Sequence, residues 1–552
     1  MPHQFDPDDL SGPRIDRRTA TKLFGAAGLT ALAGCAGDED DVDDPDPSDV
    51  DDDELQGGRL TAGWFLGEVG DLFPAFISVG QYFQISANIF NGLLTLNEET
   101  EVVPDLATDW EVEEDGTRYV FELRDDVTFH NGDEFTAEDV EYTIRYNFEN
   151  DAGQITRLED LRPLDEDGVE VIDDYTVALN LEETNAALLA HLTRGPGRAA
   201  TIINETAVEE LGREGYNLEP VGTGPFEVVE HEVGSHIRLD AFDDYHETDE
   251  EGNQLPYLDG VDIEMIPEPG TMVNALQAGD IDFANQVPLE NVDEVEGVPD
   301  IEISSVVGNG WLGLAMNHDI EPFDDVDVRR GLAKAIDNES LVQNAFFGYA
   351  EAATGVFGPL PEWVARPNEE KDQTQAYDPE EAEELLEGTP LMDGDEEFQI
   401  MNSDENLREA RTVANQLSEL GLSVELDQVT DATYWERYEN GDYEMTVSGS
   451  VQKPEPEESV WNFYRLPDQG GVWNWNNYES QEAHDLMGDT RRVTDQDERA
   501  EVFHELEDVL IRDVADAYLV HDEDVVGYRD HVHGFTHIPS FLRNFHRVWI
   551  EE

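Results

Sequence analysis

The sequence contains very little cysteine and very little positive charge. Cys35 is the only cysteine in 552 residues, which excludes an internal disulfide framework and a metal cluster held by several thiolates. Lysine and arginine together number 31 against 130 acidic residues, so nucleic acid would be repelled and is not expected as a partner. Beyond the N-terminal region, no run of about 18 apolar residues could cross a membrane as a helix.

The formal net charge of −99 is informative about the environment in which the protein works and says little about its ligand. Only four of the basic residues are lysines, namely Lys22, Lys334, Lys371 and Lys453. Self-repulsion should weaken folding at ordinary ionic strength, whereas at 1 M salt the screening length falls to about 3 Å and most of the repulsion disappears. The composition therefore predicts a hypersaline habitat and a halophilic protein.

The N-terminal region has the layout of an export signal. Arg17 and Arg18 precede a weakly apolar stretch that is too short to span a bilayer and ends in small residues just before Cys35. This order is typical of a twin-arginine signal, and Leu32-Ala33-Gly34-Cys35 resembles a lipoprotein cleavage box. Residues 1–35 are therefore predicted to be a signal whose cysteine receives a lipid. The alternative is an ordinary amphipathic helix with an isolated cysteine.

An acidic segment follows the cysteine. Residues 36–57 consist mostly of Asp and Glu with two prolines, so they offer almost nothing to bury against the entropy cost of ordering. We predict a disordered tether between a lipid anchor and a folded body that starts near residue 58. A calcium site is the alternative, but the Gly and terminal Glu spacing of an EF-hand loop is missing.

Hydrophobic periodicity predicts an α/β protein. Leu60, Ala62 and Trp64 alternate with other residues as in a half-buried strand. Thr136 followed by Asp139 predicts a capped helix, and Asp378 before Pro379 predicts another. Val328, Leu332 and Ile336 share one helix face, with Gly348 as a possible end. Strands alternate with helices through residues 300–430, which favours α/β lobes.

Motifs that would carry catalysis are absent or broken. Gly308–Gly313 matches GxGxxG after an apparent strand, but a strand-like stretch and no helix follows, so a pyrophosphate site is not expected. His231–His236 is one residue too long for a zinc helix, and the sequence has no GxSxG elbow or Walker loop. We therefore predict a protein that is not an enzyme and uses no cofactor. An exported hydrolase remains a distant alternative.

Several blocks of sequence, taken in order, resemble one known family. They include NIFNGLL (88–94), VPDLATDWE (103–111), DGTRYVFELRDDVTFHNGDEFTAEDVEYT (115–143), VGTGPF (221–226), VRRGLAKAID (328–337) and YDPEEAEELL (377–386). The chain resembles the extracytoplasmic peptide-binding and nickel-binding proteins that serve ABC importers, the dipeptide- and oligopeptide-binding proteins. With its signal and charge, it looks like a haloarchaeal-type twin-arginine lipoprotein.

The resemblance implies a periplasmic-binding-protein-like α/β fold with three lobes around a hinged ligand cleft. By analogy, lobe I comprises residues 58–86, 219–304 and 516–552, the small lobe II residues 87–218, and lobe III residues 305–515. The implied function is capture of peptides or similar small solutes at the extracellular face of the cell membrane. Cleft closure would deliver them to an ABC permease with separate ATPase subunits.

The resemblance also indicates where a ligand would bind. Peptide-binding members carry Gly-Trp-x-x-Asp-Tyr-x-(Asp/Glu)-Pro in the far lobe, and its aspartate takes the peptide amino group. Here the stretch is Gly449-Ser450-Val451-Gln452-Lys453-Pro454-Glu455-Pro456, so Ser450 replaces the tryptophan, and Gln452 or Lys453 replaces the aspartate. Lys453 suggests an anionic or hydroxyl-rich ligand, or a peptide held by its carboxylate. The alternative is a solvated lysine that pairs with Glu455 or Glu457.

Aromatic and amide side chains are expected to supply the rest of the pocket. The candidates are Trp64, Trp311, Asn317, Trp473 and Trp475, although each tryptophan could equally be a core residue. If their segment is extended, Trp473 and Trp475 point in opposite directions.

Four histidines near the C-terminus raise a second possibility within the same fold. His531, His533, His537 and His546 include an HxH pair that could bind nickel or zinc. The alternative function is therefore a receptor for nickel or a metal complex, although these histidines could also be solvated, and no metal ligand is assigned.

Overall fold

The computed structural model describes residues 55–551 except positions 78, 196–197, 309, 394–396, 452, 454, 467–468, 470, 472 and 541. The predicted signal with Arg17 and Arg18, the lipidation candidate Cys35 and most of the acidic tether lie outside the described residues. Within the described part, none of the helices combines the length and the apolar character needed to cross a membrane.

Strands and helices alternate along the described part of the chain. The strands are β1 (Arg59–Trp64), β2 (Leu94–Leu96), β3 (Val102–Pro104), β4 (Ala107–Glu113), β5 (Arg118–Leu123), β6 (Val169–Asp173), β7 (Thr176–Asn180), β8 (Phe226–Glu232), β9 (His236–Ala241), β10 (Gly260–Met265), β11 (Phe283–Ala284), β12 (Ile301–Val307), β13 (Trp311–Met316), β14 (Ala350–Ala352), β15 (Phe398–Asn402), β16 (Val424–Gln428), β17 (Met445–Ser450), β18 (Ala517–Arg529), β19 (Val532–His533) and β20 (Trp549–Ile550). The helices are α1 (Gly80–Ser86), α2 (Ala137–Glu149), α3 (Leu188–His191), α4 (Glu205–Leu218), α5 (Pro269–Ala278), α6 (Val292–Glu296), α7 (Val326–Lys334), α8 (Asn338–Ala345), α9 (Pro379–Leu386), α10 (Pro390–Asp393), α11 (Leu407–Glu419), α12 (Asp431–Glu439), α13 (Trp461–Tyr464), α14 (Gln481–Arg492) and α15 (Gln496–Asp513).

The first sheet is built around β1. This strand pairs in parallel with β10 and β11, while β9 and β8 extend the sheet on one side, and β18 and β12 on the other. The alternation predicted for β1 is confirmed, since Leu60, Ala62 and Trp64 are fully buried. They pack in one hydrophobic core with Phe283 and Phe545.

The second sheet has the order β16-β15-β17-β13-β18, with β14 also paired to β18. Its core includes residues of α7, α8, α9 and α11, which cover the sheet as expected for an α/β lobe. The predicted cap of α9 is confirmed: Asp378 accepts a hydrogen bond from the Glu381 amide at 3.0 Å, and Pro379 is the first helical residue.

The helix predicted through Ile336 ends earlier than expected. It stops at Lys334 because Asp337 caps a second helix, α8, by accepting a hydrogen bond from the Ser340 amide at 3.1 Å. Ile336 is nevertheless buried, in the turn between the two helices.

A small sheet of order β4-β5-β7-β6 forms a third region with its own core. Helix α2 packs on it and starts with the predicted capping box. Thr136 accepts a hydrogen bond from the Glu138 amide at 3.3 Å, and Asp139 accepts one from the Thr136 amide at 2.9 Å.

Two passages connect the first and second sheets. The chain leaves the first sheet at Val307 and enters the second at Trp311, continuing as strand β13 without a helix, so the GxGxxG match lacks a phosphate-binding helix. Strand β18 belongs to both sheets: Val520 pairs with Leu312 of β13, and Glu523 pairs with Val307 of β12. Of the predicted lobe limits, those at 304/305 and 515/516 lie near these passages, and the division into lobes stays a prediction.

Candidate functional site: a cavity between three regions

A cavity of about 580 Å³ lies where the three sheet regions meet. Phe83 of α1 lines it from the first region, and Arg157 and Arg198 line it from the small-sheet region. Lys453 and Trp473 belong to the larger part of the lining, which the second region supplies. A ligand in this space would therefore touch all three regions at once.

Strand β17 positions the lysine-bearing side of the cavity. Ser450, at the end of β17, pairs with Trp311 of β13 and lines the cavity together with Val451. At Gly449 an added Cβ would lie 1.8 Å from the Trp311 carbonyl oxygen, so only glycine permits this close approach of the two strands. The chain then leaves the sheet and carries Lys453 into the cavity.

Aromatic rings form the apolar part of the lining. The ring centres of Trp475 and Tyr438 are 4.9 Å apart, and those of Trp473 and Phe463 are 5.4 Å apart, both in edge-to-face geometry. The segment that holds the two tryptophans turns instead of running extended, which is why both side chains reach the same cavity. The lining suits the flat apolar surface of a ligand.

Positively charged side chains lie next to aromatic rings of the lining. The Lys453 ammonium lies 5.7 Å from the Trp473 ring centre, and the Arg198 guanidinium carbon lies 4.1 Å from the Phe83 ring centre. Burial, with the neighbouring Arg198 guanidinium, lowers the pKa of Lys453 to about 7. Burial and the nearby Arg157 also lower the pKa of Arg198 well below its ordinary value.

The environment of Lys453 contradicts the alternative of a solvated lysine. The residue is only 7% exposed. Glu455 instead pairs with Arg499 at 2.7 Å, and Glu457 lies 3.4 Å from Arg491. Lys453 therefore belongs to the cavity wall and not to an exposed loop.

Buried ion pairs fix the cavity wall between the small-sheet and second regions. The Arg157 guanidinium lies 2.7 Å from the Glu458 carboxylate, and both side chains are nearly fully buried. Arg491 contacts Glu159 at 2.6 Å and Asp160 at 2.8 Å. Charge pairs thus join the two regions, and the Arg157–Glu458 pair has little access to water, so its Coulomb attraction is only weakly screened.

A second and larger cavity, of about 990 Å³, adjoins the first. Val451 lines both, while Asn285, Glu405, Arg408 and Asp524 line only the larger one. It lies between the first and second sheet regions. We refer to the two cavities, which share Val451 in their linings, as the cleft, and its smaller end is aromatic and cationic.

Two of the predicted tryptophans lie outside this cleft. Trp64 is fully buried, and its indole N–H donates to the Gln81 carbonyl at 3.2 Å. Trp311 stacks on Tyr464 with ring centres 5.9 Å apart, and its N–H donates to the Ser459 carbonyl at 3.3 Å. Both are core residues, because each lies in a strand at a position whose side chain faces the core.

The remaining predicted site residues divide similarly. Ser450 lines the cavity, whereas Asn317 is buried elsewhere and donates to the Gly441 carbonyl at 2.8 Å. Gln452 lies outside the described residues. Ser450, Lys453, Trp473 and Trp475 are therefore brought together, and their contact with a ligand stays a prediction.

The four C-terminal histidines do not converge on one point. Each has its own carboxylate neighbour: His531 and Asp282 at 3.2 Å, His533 and Glu551 at 3.6 Å, His537 and Asp524 at 3.5 Å, and His546 and Glu247 at 3.7 Å. This separation removes the observation that suggested nickel.

Among the described residues, one group of three potential metal ligands lies elsewhere: Asp105, His246 and Glu247. The Arg194 guanidinium is 3.6 Å from Asp105 and already supplies positive charge there. This arrangement therefore gives no independent support for a metal ion.

Sequence reasoning missed several residues of the cavity. Arg157 and Arg198 come from the small-sheet region, and Trp435 and Tyr438 come from helix α12. No local motif marks them, because each depends on packing between segments far apart in sequence. The scarcity of basic residues was the one available signal.

An α/β fold with three sheet-centred lobes around an interlobe cleft defines the periplasmic-binding-protein-like fold class. Comparison with solved structures agrees. The Helicobacter pylori periplasmic binding protein DppA, solved with the peptide STSA, superposes with a TM-score of 0.74 at 24% identity, covering 91% of this chain and 99% of that one.

Sequence comparison identifies the family. The family model "Bacterial extracellular solute-binding proteins, family 5 Middle" matches residues 101–471. Di/tripeptide-binding protein 1 of Pseudomonas aeruginosa (strain UCBPP-PA14) is 24% identical over 506 residues, covering 86% of this chain and 91% of the relative. Oligopeptide-binding protein AppA of Bacillus subtilis (strain 168) is 25% identical over 544 residues, covering 90% and 92%. The chain belongs to family 5 of the extracellular solute-binding proteins, which are substrate-binding receptors and not enzymes.

Proposed function

We propose that this protein captures peptides or similar small solutes outside the cell and delivers them to an ABC permease by closing its cleft. The observation that carries the proposal is the cavity lined from all three sheet regions. A ligand that bridges lobes stabilises the closed arrangement by its higher affinity for that state. The passage between β12 and β13 and the shared strand β18 are where the hinge would lie.

The finer division into lobes is part of this proposal. Lobe I would comprise residues 58–86, 219–304 and 516–552, lobe II residues 87–218, and lobe III residues 305–515. Peptide binding by the P. aeruginosa and B. subtilis relatives supports a peptide-like ligand. Transport energy would come from separate ATPase subunits.

The experiment that tests this function is ligand identification followed by measurement of closure. Small molecules that co-purify from high-salt preparations are identified by mass spectrometry and added back to ligand-free protein. Small-angle X-ray scattering should show a smaller radius of gyration with ligand. Trp475→Ala should weaken binding, whereas Trp110→Ala, on the small sheet outside the cavity, should not. Tight binding without compaction would refute closure.

Anchoring is the second part of the proposal. The twin-arginine signal with Arg17 and Arg18 would export the chain, and a lipid on Cys35 would hold it at the outer face of the membrane, raising its local concentration near the permease. We expect Cys35→Ser to move the protein from the membrane fraction to the medium. Replacing both arginines by lysine should retain uncleaved protein inside the cell. Unchanged membrane association of the cysteine variant would refute lipid anchoring.

A further inference from the structure

The cationic end of the cleft carries more positive than negative charge. Arg157, Arg198 and Lys453 all line the cavity. Glu458 pairs with Arg157 at 2.7 Å and is the carboxylate whose field acts on both Arg198 and Lys453. Among the described residues, the lining of the cavity thus contains three basic side chains and no acidic one.

Burying this excess is unfavourable without an additional anion. A buried charge is costly unless it is paired and hydrogen-bonded. The Arg198 Nε is buried and has no hydrogen-bond partner among the described residues. Its guanidinium instead lies over the Phe83 ring, a contact that compensates only part of its lost hydration.

An excess of basic side chains in one cavity is unusual for a chain of this acidic composition. The chain contains 130 acidic residues and 31 basic ones, so carboxylates are the side chains most readily available to neutralise a cation. Elsewhere in the same wall, Arg491 is surrounded by Glu159, Asp160 and Glu457. In the described part of the chain, Arg198 forms no comparable ion pair.

Aromatic rings next to the cations add a second requirement on the ligand. Trp473 lies beside Lys453, and Trp475 with Tyr438 continues the apolar surface. The volume of about 580 Å³ admits a small molecule or a short peptide. A ligand that fits both halves has an anionic group at one end and a flat or bulky apolar group next to it.

We propose that the cavity recognises a carboxylate attached to an aromatic or other apolar group, with the carboxylate held by Arg198 and Lys453 and the apolar group packed on Trp473 and Trp475. This inference rests on the proposed receptor function and specifies its ligand class. The carboxylate could belong to the C-terminus of a short peptide or to a free organic acid. Both share the chemistry that a guanidinium and an ammonium recognise.

The test compares each acid with its own amide on the full chain at high salt. Calorimetry is run with Ala-Ala-Phe and its C-terminal amide, and with indole-3-acetate and indole-3-acetamide. In at least one pair the acid should bind about tenfold or more tightly than the amide, as expected for a charge-assisted hydrogen bond. The pair that responds distinguishes a peptide from a free acid. If no acid binds more tightly than its amide, the inference is overturned.

Variants locate the effect. Arg198→Met should weaken acid binding by about tenfold or more and leave amide binding unchanged. Arg213→Met is the matched control, because Arg213 also lies over a phenylalanine ring, that of Phe76, but is exposed and outside the cavity. Arg198→Lys keeps the positive charge, so it should keep part of the preference for acid over amide. This variant remains informative if Arg198→Met impairs folding. Equal loss of acid and amide binding in both Arg198 variants would assign the residue to structure alone.

Failure of this inference is distinguishable from failure of the proposed function. A neutral solute that binds and compacts the protein would leave the receptor function intact and overturn the carboxylate. Absence of both co-purified ligand and compaction would count against the receptor function itself.

Discussion

At the scale of single residues, Lys453 shows how burial changes the meaning of a charge. It is one of four lysines in the chain, and it lies in the cavity wall beside Arg198, Arg157 and Glu458. The resemblance to peptide-binding proteins puts either Gln452 or Lys453 where those proteins have an aspartate that pairs with an amino group. The structure adds two arginines to the same wall, so the replacement is part of a local reversal of charge.

The first prediction concerns the pH dependence of stability. Burial and Arg198 lower the pKa of Lys453 from 10.5 in the unfolded chain to about 7. Between these values the unfolded chain holds a proton that the folded chain lacks, so the free energy of unfolding rises with pH from about 7 to about 10.5. Lys453→Met should remove this rise and increase stability at pH 6 by a few kcal/mol, on the order expected from the shift. Urea titrations at several pH values measure it.

Lys334→Met provides the control for this prediction. Lys334 is buried, lies 3.1 Å from the exposed Glu381 and does not line the cavity. The control should retain the rise with pH. The prediction is wrong if Lys453→Met retains it as well.

The second prediction concerns Gly449. A methyl group at this position would meet the Trp311 carbonyl oxygen at 1.8 Å, which requires β13 and β17 to move apart. Gly449→Ala should therefore lower the free energy of unfolding by at least about 1–3 kcal/mol, measured by chemical denaturation. Gly270→Ala, where no atom lies within 4 Å of the added carbon, should be neutral or slightly stabilising. Equal effects would refute the steric argument.

At the scale of secondary-structure elements, helix α14 ends with two arginines in opposite environments. The Arg491 side chain is 6% exposed and contacts Glu159 and Asp160 of the small-sheet region, whereas the Arg492 side chain is 59% exposed. Two adjacent arginines thus play different parts. Arg491 is buried in the contact between two regions, whereas Arg492 is exposed to solvent.

The third prediction follows from this pair. Arg491→Met leaves the buried Glu457 carboxylate without this cation and removes one of the two arginines that pair with Glu159, so it should cost about 3–5 kcal/mol of stability. Arg492→Met should change stability by less than about 1 kcal/mol, as is usual for exposed ion pairs. Thermal and urea denaturation of both variants measure the difference. Similar small effects in the two variants would show that the ion pairs contribute little to holding the regions together.

The elements also show what the sequence could predict and why. Strand β1 and the caps of α2 and α9 were predictable because they depend on local periodicity and on side chains three residues apart. The end of α7 was not predicted, because a competing cap at Asp337 decided it. The cavity was predicted only in part: Lys453 and its neighbours came from a family resemblance, whereas Arg157 and Arg198 depend on long-range packing.

At the scale of the whole molecule, net charge should determine the conditions under which the fold is stable. The chain carries a formal charge of −99. At low ionic strength the carboxylates repel one another over a screening length of about 10 Å, whereas at 1 M salt this length is about 3 Å. Stability is therefore expected to depend on salt far more strongly than in a balanced protein.

The fourth prediction states this dependence. The melting temperature should rise continuously between about 0.1 M and 2 M KCl as repulsion is screened, as followed by circular dichroism. Sorbitol at equal osmolality, which adds no ions, should not reproduce the full increase. A melting temperature that is insensitive to KCl would contradict the proposed halophilic adaptation.

The dual membership of β18 has a consequence for biosynthesis. Its first half completes the second sheet and its last half completes the first, although β1 and β13 precede it by a long stretch of chain. The ribosome must therefore synthesise the chain through β18 before either major sheet can be completed, so neither of these two sheets is complete earlier in translation. Truncation upstream of Ala517 would leave both unfinished together, and no split into two separately produced fragments would yield two self-sufficient pieces.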